Sequence, residues 1–454
     1  MSGKIVAVVG GGVTGLTAAR ELDRAGADVV LLEAAPEAGG KIATKTLENV
    51  AVEAGPDSFL VRDPWALDLC RAIGLGNDLV RPAVFGGMVW SRGRLHPLPR
   101  GLVLGIPTLP VKMGRTGVMS RRGAIRGLGD LLNSKPLTGK DVSIGSLVRD
   151  RLGDEVLERL VDPLLAGTRA GDADEMSLAA AAPELDAVAR RHRSLVLGLR
   201  AWSPERPATP VFMAPIGGMT RLVQALKTEL LHADVRLGSR VDSVARDGSR
   251  FVLRTRAEEV RADAVVLTAP APATARQVAD LEPAAAQALG SIGYASVAVV
   301  ALAYPVAAGP PPQSGSGMLV PRAEKRTVAA CTWYSTKWPA SSPADGFLLR
   351  AVVGRAGRHP ALDLDDDALV AKVHEDLADM LGLSAPPRAS LVTRWENALP
   401  QYTVGHLDRV TGAELALAQR GPLFLAGAGY RGSGIPDCIR QATEAAAAVA
   451  SALR

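Results

Sequence analysis

The chain has 454 residues, 47% apolar but only 4% aromatic, with a net charge of +5. That length exceeds one ordinary hydrophobic core and implies two or three domains. The mild basic excess is a solvated surface or a match for a polyanionic small molecule, and without a Lys/Arg tract interleaved with aromatics it argues against nucleic acid. Cys70, Cys331 and Cys438 are odd in number and far apart, which speaks against a disulfide framework or a zinc site and for a reducing cytosol. The first strand starts at Ile5, leaving no room for a signal peptide. The longest apolar run, Tyr294 to Ala308, contains Pro305 and is too short to span a bilayer. The expectation is a cytoplasmic protein, peripheral at the inner face of the membrane at most.

Lys4 to Glu33 (KIVAVVGGGVTGLTAARELDRAGADVVLLE) reads as strand, glycine turn, helix and strand. Ile5 to Val9 is a β-branched apolar run of the kind buried in a parallel sheet. Gly10, Gly12 and Gly15 form G-x-G-x-x-G. The first two let the backbone turn and approach a diphosphate, and the third lets helix and strand pack closely. Leu16, Ala19 and Leu22 recur at helical spacing, Gly26 stops the helix, and Val29 to Leu32 is the second strand. It ends at Glu33, an acid about 20 residues beyond the glycines, where a ribose hydroxyl needs an acceptor. The helix N-terminus turns partial positive charge toward the phosphates. A glycine fingerprint alone is also what any tight strand-to-helix turn produces. Its place between strand and helix, with the acid at the right distance, favours a dinucleotide site.

Further along, Val50 to Glu53 alternates as a strand and enters a Gly/Pro loop, Ala54 to Phe59. Pro64 to Ile73 reads as a helix, and Val89 to His96 as a hairpin with a glycine at its tip. Residues 97–125 are rich in Gly, Pro and Arg without clean periodicity. There Lys112, Arg115, Arg121, Arg122 and Arg126 make either a membrane-surface patch or the solvated face of a helical subdomain. Leu147 to Leu165 reads as one amphipathic helix, broken by Ala166 to Asp172. Thr220 to Leu230 is a helix with Leu222, Ala225 and Leu226 on one face. Val235 to Ala245 and Arg250 to Thr255 alternate around Asp247-Gly248, a strong hairpin signal, and a buried strand follows from Ala264. Ser296 to Leu302, Arg326 to Thr332 and Gly346 to Val353 fit a sheet that walls a pocket. The Trp and Tyr residues of Cys331 to Pro339 are, by themselves, core residues. Pro422 to Leu425 is a last strand. After a glycine loop, an Ala-rich helix starts near Pro436, whose missing N–H suits a first turn, and runs to Leu453.

Several of these stretches carry a resemblance. Glu33 to Lys41 is similar to the E-x(5)-GG-[RK] segment of the flavoproteins with two dinucleotide-binding domains, the amine oxidase superfamily, and that resemblance makes the cofactor FAD. GGGVTGL, EAGPDSFL, AGTRAGD, TWYSTKW, PQYTVGH and GIPDCI resemble the oxygen-dependent porphyrinogen oxidase family over nearly the whole chain. PQYTVGH and GIPDC, and Asp57 where some protoporphyrinogen oxidases have Arg, look most like its coproporphyrinogen-using bacterial branch. The expected fold is α/β. It combines a discontinuous FAD-binding Rossmann-like domain (1–56, 209–278, 393–454), a mixed-sheet substrate domain (57–100, 177–208, 279–392) and a helical subdomain (101–176). Carried over by position, FAD would be bound by Gly10, Gly11, Gly12, Val13, Thr14, Gly15, Glu33, Ala34, Lys41, Gly55, Pro56, Asp57, Ser58, Val241 through its backbone, Trp395, Ser433, Gly434 and Ile435. The last helix would aim its N–H groups and dipole at the flavin pyrimidine ring, favouring the anionic reduced form.

The activity this resemblance implies is the removal of six electrons from coproporphyrinogen III in haem biosynthesis. A hydride leaves a meso carbon for flavin N5, pyrrole N–H protons are lost, and dioxygen restores the flavin with release of hydrogen peroxide, three times over. The cofactor carries the hard step, so the protein positions and excludes water. No Ser-His-Asp set, metal cluster or paired carboxylate stands out, and the sequence names no general base. The substrate's propionates call for cations, bidentate where Arg is used. Arg92, Arg94, His96, Arg322 and Lys337 are the candidates, each otherwise a plain surface charge. Rival readings are a protoporphyrinogen IX oxidase, an amine oxidase or carotenoid desaturase on the same scaffold, and a non-catalytic flavin-binding module. The Gly-Gly-Cys context in which some amine oxidases anchor FAD covalently is absent, because Cys438 follows Pro-Asp.

Overall fold

Ile5–Val9 (β1) lies at the centre of a five-stranded parallel sheet ordered 234–236, 28–32, 5–9, 264–267, 423–425. The computed structural model describes residues 1, 3–99, 101–103, 105–108, 116–132, 135–202, 211–357 and 359–454. Alternate residues of each strand point to opposite faces, and both faces are covered. Val6, Val8, Val29, Leu31 and Val266 pack against Val13–Arg24 (α1) and the C-terminal helix Ile435–Ala452. Ala7, Val9, Val30 on Asp28–Leu32 (β2), Val265 and Leu267 pack against the hairpin 241–255 and the helices Pro283–Gly290 and His406–Ala418. Five short strands from distant parts of the chain thus share one sheet.

A second, seven-stranded sheet runs 389–400, 294–305, 346–353, 328–333, 317–319, 88–91, 94–97, antiparallel except where 317–319 meets 88–91. One face (Val300, Leu302, Leu349, Ala351) is covered by the helix Asp366–Leu381. The other turns toward the first sheet through Ala301, Ala303 and Leu348. Helices between 121 and 202 gather around a third core of Leu147, Val148, Leu160, Leu185 and Leu199. Among the described residues no helix is long and apolar enough to cross a membrane.

Three expectations change. The single helix over 147–165 is instead Ile144–Leu152, a short turn Asp154–Val156, a wider π-type turn Leu157–Val161 and Asp162–Arg169. Gly153, at φ +89°, ends the first piece. The helix also outruns its predicted break and stops at Ala170, which adopts a left-handed conformation at φ +50°. The run 235–245 is two strands, because Gly238 (φ +66°) turns the chain between Asp234–Arg236 in the parallel sheet and Val241–Asp247 in the hairpin. Residues 393–400, expected with the cofactor-binding part, lie in the strand Ala389–Pro400, which pairs with Tyr294–Pro305 in the second sheet. Of the basic patch, Lys112 and Arg115 lie outside the described residues, and Arg121 and Arg122 are exposed. Arg126, also exposed, donates to the carbonyls of Arg149, Asp150 and Arg151, capping that helix end.

Candidate functional site

The glycine turn after β1 makes the first wall. A Cβ at Gly15 would stand 1.8 Å from the Gly10 carbonyl oxygen, so only glycine lets α1 lie this close to the turn. Gly12 is the opposite case: its φ is −72° and nothing stands within 4 Å of where its Cβ would be. No side chain caps α1, so the first-turn N–H groups of Val13, Thr14 and Gly15 are available to an external anion. At the end of β2, the Glu33 carboxylate accepts from the N–H of Gly11 and, at 2.7 Å, from that of Ala35. Gly39 N–H donates to the Gly11 carbonyl at 2.8 Å, bringing the 39–41 segment alongside. Lys41 buries its ammonium, which donates to the Ala398 carbonyl at 2.7 Å, and burial lowers its pKa.

The second wall is the loop after Val50–Glu53. Arg350, from the middle of the second sheet, donates through Nε to the Glu53 carbonyl at 2.7 Å and through Nη2 to that of Gly55. Trp395 Nε1 donates to the Ala54 carbonyl at 2.7 Å. Asp57 receives Lys337 Nζ at 2.7 and 3.0 Å and Trp338 Nε1 at 3.4 Å. Burial opposes its ionisation, but Lys337 and Arg350 outweigh that and hold its pKa at about 2. Glu53 behaves oppositely: burial pushes it up to about 7, although its carboxylate accepts from Met219 N–H at 2.7 Å and Thr44 Oγ1 at 3.0 Å.

The third wall is the loop 426–434 and the helix that follows. Tyr402, 1% exposed, donates through its hydroxyl to the Ala428 carbonyl at 2.7 Å and accepts from Gly432 N–H at 3.1 Å. His406 stacks on Tyr402 at 3.9 Å and meets the Tyr430 carbonyl through Nε2 at 2.7 Å. Burial lowers the His406 pKa to about 4, so the ring is neutral at pH 7 and donates there. Gln441 Oε1 accepts from Gly427 N–H at 3.3 Å and Arg431 N–H at 3.2 Å. Asp437 accepts from Gly434 N–H at 3.2 Å at the helix start. This loop reaches the first wall, for a Cβ at Gly427 would lie 3.7 Å from Thr14 Oγ1. The site is floored by half-buried Val352, Trp395 and Leu399, which pack with Ala170, Ala295 and Val297.

Residues 13–450 match the family model described as flavin-containing amine oxidoreductase. The chain belongs to that family. Among its relatives, coproporphyrinogen III oxidase of Bacillus subtilis is 36% identical, covering 99% of this chain and 98% of that protein. The protein of the same name from Mycobacterium tuberculosis strain H37Rv is also 36% identical, over 100% and 99%. A crystal structure from Exiguobacterium, assigned by name to the protoporphyrinogen oxidases, superposes with a TM-score of 0.88 at 34% identity, covering 99% of both chains.

A flavoprotein of this family needs a cradle for phosphate and a rigid seat for the ring, and these residues fit both. Gly12 leaves a gap that any side chain would fill, and the loops 53–58 and 426–434 are fixed by buried donors and acceptors rather than by solvent. Gly10 to Gly15, Glu33, Lys41, Gly55 to Ser58, Trp395 and Gly434 lie on these three walls. Ala34 follows Glu33, and Ser433 and Ile435 flank Gly434. Val241 lies apart, its carbonyl accepting from Gln277 Nε2 at 3.1 Å beside a cleft of about 160 Å³.

Of the five candidate substrate cations, Arg92, Arg94 and His96 share the hairpin 88–97, whose Arg92 N–H donates at 3.1 Å to Glu324, in the same short turn as Arg322, while Lys337 is held elsewhere by Asp57. Lys337 is bound by Asp57, so it serves the loop rather than an external carboxylate. Arg92 pairs with Glu155 at 3.3 Å, and His96 Nε2 lies 3.1 Å from the Ser91 carbonyl. Arg322 lies 3.3 Å from Asp162 and 3.5 Å from Asp172, and Arg94 is exposed at the hairpin edge. Arg350, Glu53, Tyr402 and Gln441 escaped sequence reasoning. For Arg350 the signal was present, a lone charge inside the apolar run Gly346–Val353.

Proposed function

We propose that the protein is an FAD-dependent oxidase that converts coproporphyrinogen III to coproporphyrin III, removing six electrons and passing them to dioxygen as hydrogen peroxide. The observation that carries this reading is the whole-length similarity to proteins named coproporphyrinogen III oxidase, which runs through all three walls of the site. When bound, the flavin supplies a two-electron acceptor that dioxygen restores. The chain's own residues do the rest. Gly10 to Gly15 would hold the diphosphate at the start of α1, Glu33 and Ala34 a ribose, and the Val241 backbone the adenine side. Lys41, Gly55 to Ser58 and Trp395 would fix the ring from the second sheet. Ser433, Gly434 and Ile435 would turn the positive end of the last helix toward the ring's pyrimidine side. Val352, Trp395 and Leu399 would give the puckered pyrrole macrocycle an apolar floor. On this reading 1–56, 209–278 and most of 393–454 serve the cofactor, 57–100, 177–208 and 279–392 the substrate, and 101–176 make the helical subdomain.

The test is aerobic incubation of purified protein with coproporphyrinogen III, and separately with protoporphyrinogen IX, following porphyrin fluorescence and peroxide. Faster fluorescence growth with the four-propionate substrate is expected. Preference for protoporphyrinogen would move the assignment to that branch, and peroxide from amines alone would overturn it.

A further inference from the structure

The AGTRAGD segment, residues 166–172, closes the helix Asp162–Arg169 and turns at Ala170. Ala170 is packed against Ala295 and Val297, next to half-buried Val352, Trp395 and Leu399. The Arg169 carbonyl accepts from Gln401 Nε2 at 3.0 Å, which fixes the backbone beside Tyr402. The Arg169 guanidinium carbon lies 6.0 Å from the centre of the Tyr402 ring, the side chain that holds Ala428 and Gly432.

What distinguishes Arg169 is its lack of an internal partner. Nearby cations are all engaged: Arg350 by the Glu53 and Gly55 carbonyls, Lys337 by Asp57, Arg431 by Glu414, Arg440 by Glu444. Among the described residues, the half-buried Arg169 side chain has no ion pair and no hydrogen bond. Its charge is felt at the start of the last helix, where burial raises the Asp437 carboxyl and Arg169 is one of the groups pulling it back. Asp437 itself is occupied with Gly434 N–H. A guanidinium fixed against an aromatic ring keeps its planar fork, which suits a carboxylate bidentately.

We propose that Arg169 binds one carboxylate at the rim of the substrate and so sets the orientation of the macrocycle on the Val352–Trp395–Leu399 floor. This rests on the porphyrinogen reading above. A pyrrole macrocycle on that floor brings its rim to the end of the Asp162–Arg169 helix, where a half-buried, unpaired cation waits. The two ends of Arg169 then have separate tasks: its carbonyl keeps the segment in place, and its side chain reads the ligand.

The test compares Arg169→Gln and Arg169→Lys with the unaltered holoenzyme in two measurements. In turnover of coproporphyrinogen III, Arg169→Gln should raise KM about ten- to a hundredfold, as loss of a charge-assisted pair predicts, with kcat within about twofold. Arg169→Lys should recover part of the loss. In equilibrium titration of the oxidised holoenzyme with coproporphyrin III, Kd should rise in parallel for Arg169→Gln. Unchanged KM and Kd would overturn the proposal. So would a fall in kcat at constant KM, which would mean that Arg169 acts only by supporting Tyr402. Should the unaltered enzyme oxidise no porphyrinogen yet bind coproporphyrin III through Arg169, the reaction is rejected and the carboxylate anchor stands. No binding by either protein rejects both.

Discussion

Lys337 Nζ stands 2.7 Å from one oxygen of Asp57 and 3.0 Å from the other, so the loop that would seat the flavin is tied to the second sheet by a buried charge pair between residues 280 positions apart. Removing one partner strands the other away from water, which typically costs about 3–5 kcal/mol. Lys337→Ala should therefore destabilise the protein by about that amount in urea titration, and Asp57→Asn with Lys337→Met together by clearly less. The pH dependence follows from the depressed carboxyl. Asp57 has a folded pKa of about 2, below its unfolded value, so its contribution is complete above about pH 4 and is lost as pH falls toward 2. Asp57→Asn should flatten that acid limb of the stability curve.

Glu53 should show the reverse sign. Its pKa is raised from 4.5 to about 7, chiefly by burial, so the folded state favours the protonated acid. Stability from this group is full below about pH 4.5 and falls as pH rises to about 7, by up to about 3 kcal/mol. Glu53→Gln keeps an oxygen for the Met219 N–H but cannot ionise. Its melting temperature should fall less between pH 5 and 8 than that of the unaltered protein. Parallel curves would show that Glu53 is ionised at no cost.

The pair Gly15 and Gly12 separates folding from cofactor binding. Gly15→Ala puts a methyl group 1.8 Å from the Gly10 carbonyl oxygen, a clash that backbone must relieve, so this variant should express poorly or melt far below the parent. Gly12→Ala meets nothing within 4 Å and has an ordinary φ of −72°. It should fold normally by circular dichroism and yet come out with little bound flavin, because its methyl group fills the space that the phosphates need. Full flavin content in Gly12→Ala would remove the diphosphate from this position.

How far the sequence could be read depends on whether a residue's partner is local. β1, α1 and β2 were legible because their signals, a β-branched run, a glycine turn and helical spacing, lie within one stretch of chain. Gly346–Val353 was found with its observed bounds for the same reason. The break at Gly153 was not, since Leu147 to Leu165 keeps its apolar period straight through it and only the packing of Leu157 and Leu160 in the third core shows the wider turn. The charge pairs were illegible in principle. Nothing near Lys337 in sequence announces Asp57, so a cation that looked free for a ligand was already taken. Arg169 is the converse, a residue whose availability shows only once its neighbours' partners are known.

Tyr402 gives the sharpest test of the third wall. Its hydroxyl joins two backbone groups of the loop 426–434, donating to the Ala428 carbonyl at 2.7 Å and accepting from Gly432 N–H at 3.1 Å, while His406 backs its ring at 3.9 Å. Tyr402→Phe keeps the ring and the stack and deletes only the link. Two backbone groups then lose their partner, at about 1–3 kcal/mol each where water cannot reach them. The loss falls on a segment that would otherwise be held ready for the flavin ring, so it should appear more strongly in cofactor affinity than in the fold. The expected result is flavin dissociation at least tenfold easier, read by fluorescence of released flavin, with a drop in apoprotein melting temperature of only a few degrees. If apoprotein stability falls while flavin affinity holds, Tyr402 braces the core and the loop is positioned by Gln441 instead, whose Oε1 receives the Gly427 and Arg431 N–H groups.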